Sequence, residues 1–119
     1  MHSEVARRAK VTHTNPLRQV WARGRTAFGL WSLIPNYFSA ELLASAGVDY
    51  VCVDQQHGII DYSSMVPMLP AISAAGGTPI KRVLSNDAFQ IMKALDAGAW
   101  GVIVPLVNDA EEAARAVAA

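Results

Sequence analysis

One cysteine, Cys52, stands in 119 residues, inside an apolar run and without a partner. A disulfide framework is thereby excluded, and the thiol reads as a small buried hydrophobe in a reducing compartment, the cytoplasm. Long hydrophobic runs are also missing: Pro, Gly or a charge interrupts each one short of the roughly 18 residues that cross a bilayer. Neither a membrane partner nor a cleavable apolar leader is expected. Excess charge is absent too, with ten Lys plus Arg against ten Asp plus Glu, so no global field draws the chain to nucleic acid. The basic residues are unevenly placed, and Arg7, Arg8, Lys10, Arg18, Arg23 and Arg25 crowd the start. Without interleaved aromatics they read as a solvated leader and first helix. No apparent strand is followed by the G-x-G-x-x-G turn that cradles a dinucleotide.

What the chain does have is 52% hydrophobic content, ample for a core, and a repeating beat. Residues 1–26 read as the basic leader and a short helix, "NPLRQVWARG", with Asn15 as cap, Pro16 at the first helical position and Gly24 as stop. Residues 27–119 then read as four β/α units. The first joins "AFGLWSL" to "SAELLASAG", with Ser39 as cap and Gly47 as stop. The second joins "VDYVCV" to "YSSMVPMLPAISAAGG", a helix that Pro67 and Pro70 are expected to shorten or bend. The third runs from "TPIKRV" to "NDAFQIMKALDAG", capped by Asn86 and ended by Gly98. The fourth runs from "WGVIVPLV" to "NDAEEAARAVAA", capped by Asn108.

Short connections between such units predict parallel strands adjacent in sequence order, near residues 28–33, 49–53, 79–83 and 101–106. The fold class is α/β: parallel (β/α) units forming the first half of a TIM-type (β/α)8 barrel, with an open doubly wound sheet as the alternative. Because that barrel typically takes about 250 residues, the chain reads as an incomplete portion of an enzyme.

Strand-end loops are where such a barrel holds its chemistry, and "VDQQHG" follows the second strand. His57 is suited to proton transfer near neutral pH. Asp54 is the first residue after "VCV" that is not apolar, placed to orient His57 or a metal-bound water, or simply to cap the turn. Gln55 and Gln56 offer hydrogen bonds without charge. Strand alternation sends one of Lys81 and Arg82 toward the helices and the other into the lumen. An arginine there needs an anion, which suggests a carboxylate or enolate ligand; the alternative is that both side chains reach solvent. Asp96 opposes the dipole at the end of its helix, Trp31 stands at the end of the first strand as pocket wall or core, and His2 and His13 form no ligand pair with His57.

Two stretches, "FGLWSLIPNYFSAELLASAGVDYVCVDQQHG" and "PIKRVLSNDAFQIMKALDAGAWGVIVPLVNDAEEA", resemble the N-terminal half of the HpcH/HpaI aldolase and citrate lyase family, over about residues 27–115. The resemblance implies a metal-dependent class II aldolase that makes or breaks a carbon-carbon bond, releasing or using pyruvate. By it, His57 matches the catalytic base of an Asp-x-x-His stretch, Arg82 the arginine that stabilises the transition state, and Asp96 the acid that raises the basicity of the histidine. Trp31, Asp54 and Gln56 fall at substrate-binding or supporting positions. Gln56 departs from the glutamate that the family often carries there. The metal, Mg, Mn or Co, would take its ligands beyond Ala119 and none within this chain. The implied partners are a small 2-oxo acid and an aldehyde, together with further copies of the chain in a homo-oligomer. Asp96 belongs at the opposite end of its helix from the His57 rim, so the two are expected to meet only across subunits. A non-catalytic interaction or regulatory half-barrel is the alternative.

Overall fold

The computed structural model describes residues 14–119, and in them each strand pattern becomes a strand. The leader, with Arg7, Arg8, Lys10, His2 and His13, lies outside the described residues. Helix α1 (Pro16–Ala22) comes first, followed by β1 (Gly29–Ser32), α2 (Tyr37–Ser45), β2 (Tyr50–Asp54) and α3 (Tyr62–Ala74). Then come β3 (Thr78–Arg82), α4 (Ala88–Asp96), β4 (Gly101–Ile103) and α5 (Ala110–Ala118). The strands form one sheet in the order β1-β2-β3-β4, all parallel, as the short connections require.

Strand alternation divides the interior into two layers. Val51 and Val53 of β2 face the helices, where they pack with Ala40 and Ala44 of α2, Met65, Met68, Leu69 and Ile72 of α3, and Ile91 and Ala94 of α4. Cys52 and Ile80 face the other way and are covered by Leu17 of α1. Asn15 fixes that cover: its side chain accepts from the Leu17 amide at 3.0 Å and donates to the Trp100 carbonyl at 2.9 Å, beside the start of β4. Cys52 is fully buried, and burial, followed by repulsion from Asp54, pushes its thiol pKa up to about 12.

Helix starts differ from the sequence expectation in three places. Asn36, not Ser39, caps α2; Ser39 lies in the first turn and donates its amide to the Asn36 side chain at 2.8 Å. Asp87 and Asp109, not Asn86 and Asn108, cap α4 and α5. In each Asn-Asp pair the carboxylate takes the cap, where the helix dipole favours negative charge. The asparagines hold neighbouring backbone: Asn86 donates to the Glu112 carbonyl and Asn108 to that of Leu106, both at 2.8 Å. Nor do Pro67 and Pro70 shorten α3, which runs 13 residues. The amides they lack cost two helical bonds, but Met65, Met68, Leu69 and Ile72 are all at most 1% exposed, and that burial offsets the loss. A capping box between Asp61 and Ser64 secures the start of this helix.

Candidate active site

Strands β2 and β3 end on opposite charges, Asp54 and Arg82, and the register sets these two side by side. Arg82 donates from Nε to Asp54 Oδ1 at 2.8 Å and from a terminal nitrogen to Oδ2 at 2.6 Å, a two-pronged pair. The carboxylate is 1% exposed and the arginine side chain 19%, so the pair sits at the boundary between core and solvent. Trp31 of β1 completes the group, its ring centroid 4.6 Å from the guanidinium carbon. Three adjacent strands thus contribute one residue each to one face of the sheet at its C-terminal end.

Asp54 also builds the loop that follows it. The same Oδ1 accepts the backbone amides of Gln56 at 3.0 Å and His57 at 3.4 Å. Of its sequence alternatives, the turn cap is the one these bonds match; the carboxylate meets His57 only at the backbone amide, and its side-chain partner is Arg82. Burial works against its ionisation, but the Arg82 fork and the two loop amides outweigh it and hold the carboxyl below the usual range. The loop is tied at both sides: the Gln55 amide donates to the Arg82 carbonyl at 3.1 Å and the Ile59 amide to that of Leu33 at 3.2 Å. Gly58 permits this folding back. A Cβ there would overlap the Asp54 carbonyl oxygen and press on the Leu33 Cα at 3.2 Å. His57 is left exposed at the rim, next to the Asp54–Arg82–Trp31 group through its backbone.

Arg82 is thus the lumen-facing member of its pair, and the anion it needed is supplied by the chain itself. Two of its five N–H donors go to Asp54, leaving the rest for a ligand. Lys81 faces the helices and does not reach solvent: it is 1% exposed and donates to Gln55 Oε1 at 2.6 Å. Burial outweighs the attraction of neighbouring groups and lowers its pKa to about 8. The sequence offered a signal for the Asp54–Arg82 pair, since "VCVD" and "PIKR" both end on a charge of opposite sign. For the Lys81–Gln55 contact it offered none.

Asp96 is not brought to this group. It is the last residue of α4, a helix that starts after the C-terminal end of β3 and ends before β4 begins. It is exposed at the opposite end of the sheet from the His57 loop. Among the described residues, no three His, Cys, Asp or Glu side chains converge to hold a metal ion. Asp54, the carboxylate of the group described above, has both oxygens committed to Arg82. The residues present therefore do not fit a metal, and no step below passes through one. Among the described residues no helix is long and apolar enough to cross a membrane.

A parallel β/α sheet with an arginine, a carboxylate and a histidine at its C-terminal rim matches the architecture of TIM-barrel enzymes. The model of the HpcH/HpaI aldolase/citrate lyase family matches residues 27–119, and the chain belongs to this family. It is 44% identical over 99 residues to a hydroxypyruvate/pyruvate aldolase of Rhizorhabdus wittichii, covering 83% of this chain and 39% of that protein. It is 38% identical over 105 residues to a 4-hydroxy-2-oxo-heptane-1,7-dioate aldolase of Salmonella dublin, covering 88% of this chain and 40% of the relative. Among solved structures, an HpcH/HpaI aldolase/citrate lyase family protein from Burkholderia cenocepacia J2315 superposes with a TM-score of 0.79 at 35% identity. That match covers 87% of this chain and 42% of the other. The chain thus spans about two fifths of the length of the relatives it matches.

Proposed function

We propose that these four β/α units supply the proton-transfer and enolate-binding half of an aldolase that cleaves or forms a carbon-carbon bond in 2-oxo acids, releasing or using pyruvate. The observation that carries this reading is the Asp54–Arg82–Trp31 group beneath the His57 loop. Aldol cleavage leaves an enolate, and a fixed guanidinium stabilises the oxygen on which that charge develops. Arg82 arrives already oriented by Asp54 and Trp31, with donors to spare. His57, exposed at the rim, takes the proton from the 4-hydroxyl as the bond breaks and returns it in the condensation direction. Trp31, stacked on the arginine, and Gln56, in the loop that carries His57, bind substrate.

Within this proposal the complete enzyme would need a divalent cation, Mg, Mn or Co, whose ligands would come from residues outside this chain. Its partners are a small 2-oxo acid and an aldehyde, and the enzyme is a cytoplasmic homo-oligomer. Asp96, far from His57 within one subunit, acts on the histidine of a neighbouring subunit. The test is aldol cleavage by variants of the enzyme. His57→Ala should lower kcat on the order of 10²-fold or more, as loss of a general base does. Arg82→Lys should also be damaging, because an ammonium cannot hold Asp54 with two prongs and still present donors to an enolate. Rates near wild type in both variants would refute the proposal.

A further inference from the structure

We infer that the cavity between β3, α3 and α4 is a binding site for a monocarboxylate with a flat apolar body. It lies on the opposite face of β3 from Arg82, because adjacent residues of a strand point to opposite sides. Its volume is about 330 Å³, and it is lined by Lys81, Gln55, Tyr62, Phe89 and Lys93, with Met65 at the core side.

The chemistry of these walls selects the ligand. Lys81 is 1% exposed, yet its three ammonium donors meet a single side-chain acceptor, Gln55 Oε1. A buried cation without a counter-ion is costly, and a carboxylate placed beside it relieves that cost. A second amine, Lys93, lies 4.7 Å from the centre of the Tyr62 ring and 6.0 Å from that of Phe89. No Asp or Glu lines the cavity to compete for either amine. Apart from Gln90, whose side chain is engaged by the Leu84 amide and Ser85, the remaining wall is aromatic and aliphatic and suits a flat hydrocarbon body. The size is at the lower end of the roughly 300–1,000 Å³ usual for small-molecule sites, which favours one ring or a short chain. Gln55 belongs to this wall and also begins the loop that carries His57.

The inference does not rest on the aldolase reading, since its readout is binding and not catalysis. Calorimetric titration of the chain with benzoate, benzyl alcohol and acetate tests it. Benzoate should bind at least about ten-fold more tightly than benzyl alcohol, which lacks the charge, or acetate, which lacks the body. Lys81→Met should weaken benzoate by about ten-fold or more while leaving benzyl alcohol unchanged. Phe89 is exposed enough for Phe89→Ala to keep the fold, and this variant should weaken benzoate by a few-fold. Equal binding of benzoate and benzyl alcohol, or no binding of benzoate to the unaltered chain, would overturn the inference. So would wild-type affinity in Lys81→Met or, should that variant lose its far-ultraviolet circular dichroism, in Phe89→Ala.

Discussion

Replacing Asp54 by asparagine keeps the shape of the side chain and removes its charge, at a position that bonds both Arg82 and the loop carrying His57. The carboxylate now accepts four hydrogen bonds: two from Arg82, at 2.8 and 2.6 Å, and one each from the Gln56 and His57 amides, at 3.0 and 3.4 Å. An asparagine offers one acceptor oxygen and an NH2 group. If the oxygen serves the loop amides, the NH2 faces the guanidinium, donor against donor. If it serves Arg82, the loop loses its anchor. Removing one partner of a buried pair costs about 3–5 kcal/mol. Arg82 keeps some access to water, with 19% of its side chain exposed, and the expected loss is therefore about 2–3 kcal/mol.

Urea unfolding should report that loss as a midpoint lower by about 0.7–3 M at unchanged slope, given slopes of roughly 1–3 kcal/mol/M for small proteins. Acid provides an independent check. The Asp54 carboxyl is held below its ordinary value of 3.8, so its contribution is fully present above that value and is lost as pH falls through the folded value. Wild type should lose stability in that range, and the asparagine variant should lose less. A destabilisation under about 0.5 kcal/mol, the range of ordinary surface substitutions, would show that the pair contributes little.

The other predictions concern single residues. Lys81 has a folded pKa of about 8 against 10.5 for a free lysine, so the unfolded chain holds the extra proton in that window and stability should rise with pH through it. The stability advantage of Lys81→Met at pH 7, up to about 3 kcal/mol, should fade over the same window in parallel denaturation curves; a gap independent of pH would refute this. Cys52 acts in the opposite sense, because its folded value of about 12 lies above the free value of 9.0, and stability should fall as pH rises above 9. That fall should be absent from Cys52→Ala. Gly58→Ala should cost about 1–3 kcal/mol by thermal unfolding, since the Asp54 carbonyl or the loop must move; an unchanged Tm would refute the contact. Inactive His57→Ala and Asp96→Ala subunits, mixed in one oligomer, should recover activity if the two residues act across an interface, whereas inactive mixed oligomers would remove Asp96 from the site.

Strand order and unit count were legible because they rest on features that the chain repeats: apolar runs, short connections, and glycines at helix ends. Gly24, Gly47 and Gly98 all take positive φ, the conformation that ends a helix at low cost. Finer choices were not legible where two neighbours have the same competence. "NDA" occurs twice, and either polar residue could cap the helix that follows. Only the local electrostatics of the helix start separates them. The expected shortening of α3 by its prolines failed for a different reason: propensity is local, whereas four nearly fully buried side chains hold that helix through contacts distant in sequence. Lys81 shows the same limit. Alternation placed it or Arg82 toward the helices, but whether the amine would reach water depended on how α3 and α4 close over it.

The site as folded also assigns Asp54 a role that spacing could not. Three positions before a histidine, a carboxylate resembles the orienting acid of a proton-transfer pair, yet here it binds only the histidine's backbone and gives both oxygens to Arg82. This arrangement has two opposing consequences. The guanidinium loses little freedom when a ligand arrives, since Asp54 and Trp31 already hold it, and the ordering cost is met during folding. Its positive field at the ligand is weakened, because a full negative charge lies 2.6 Å away. A hydrogen bond depends on direction as well as on field, and the donors left to Arg82 point away from the carboxylate, so orientation outweighs the loss for an oxygen that approaches from the rim. Under the proposed function Asp54 is then a positioning residue and not the base. Its removal should affect substrate binding and turnover together by loosening Arg82, whereas loss of the His57 imidazole should act on turnover and leave binding largely intact.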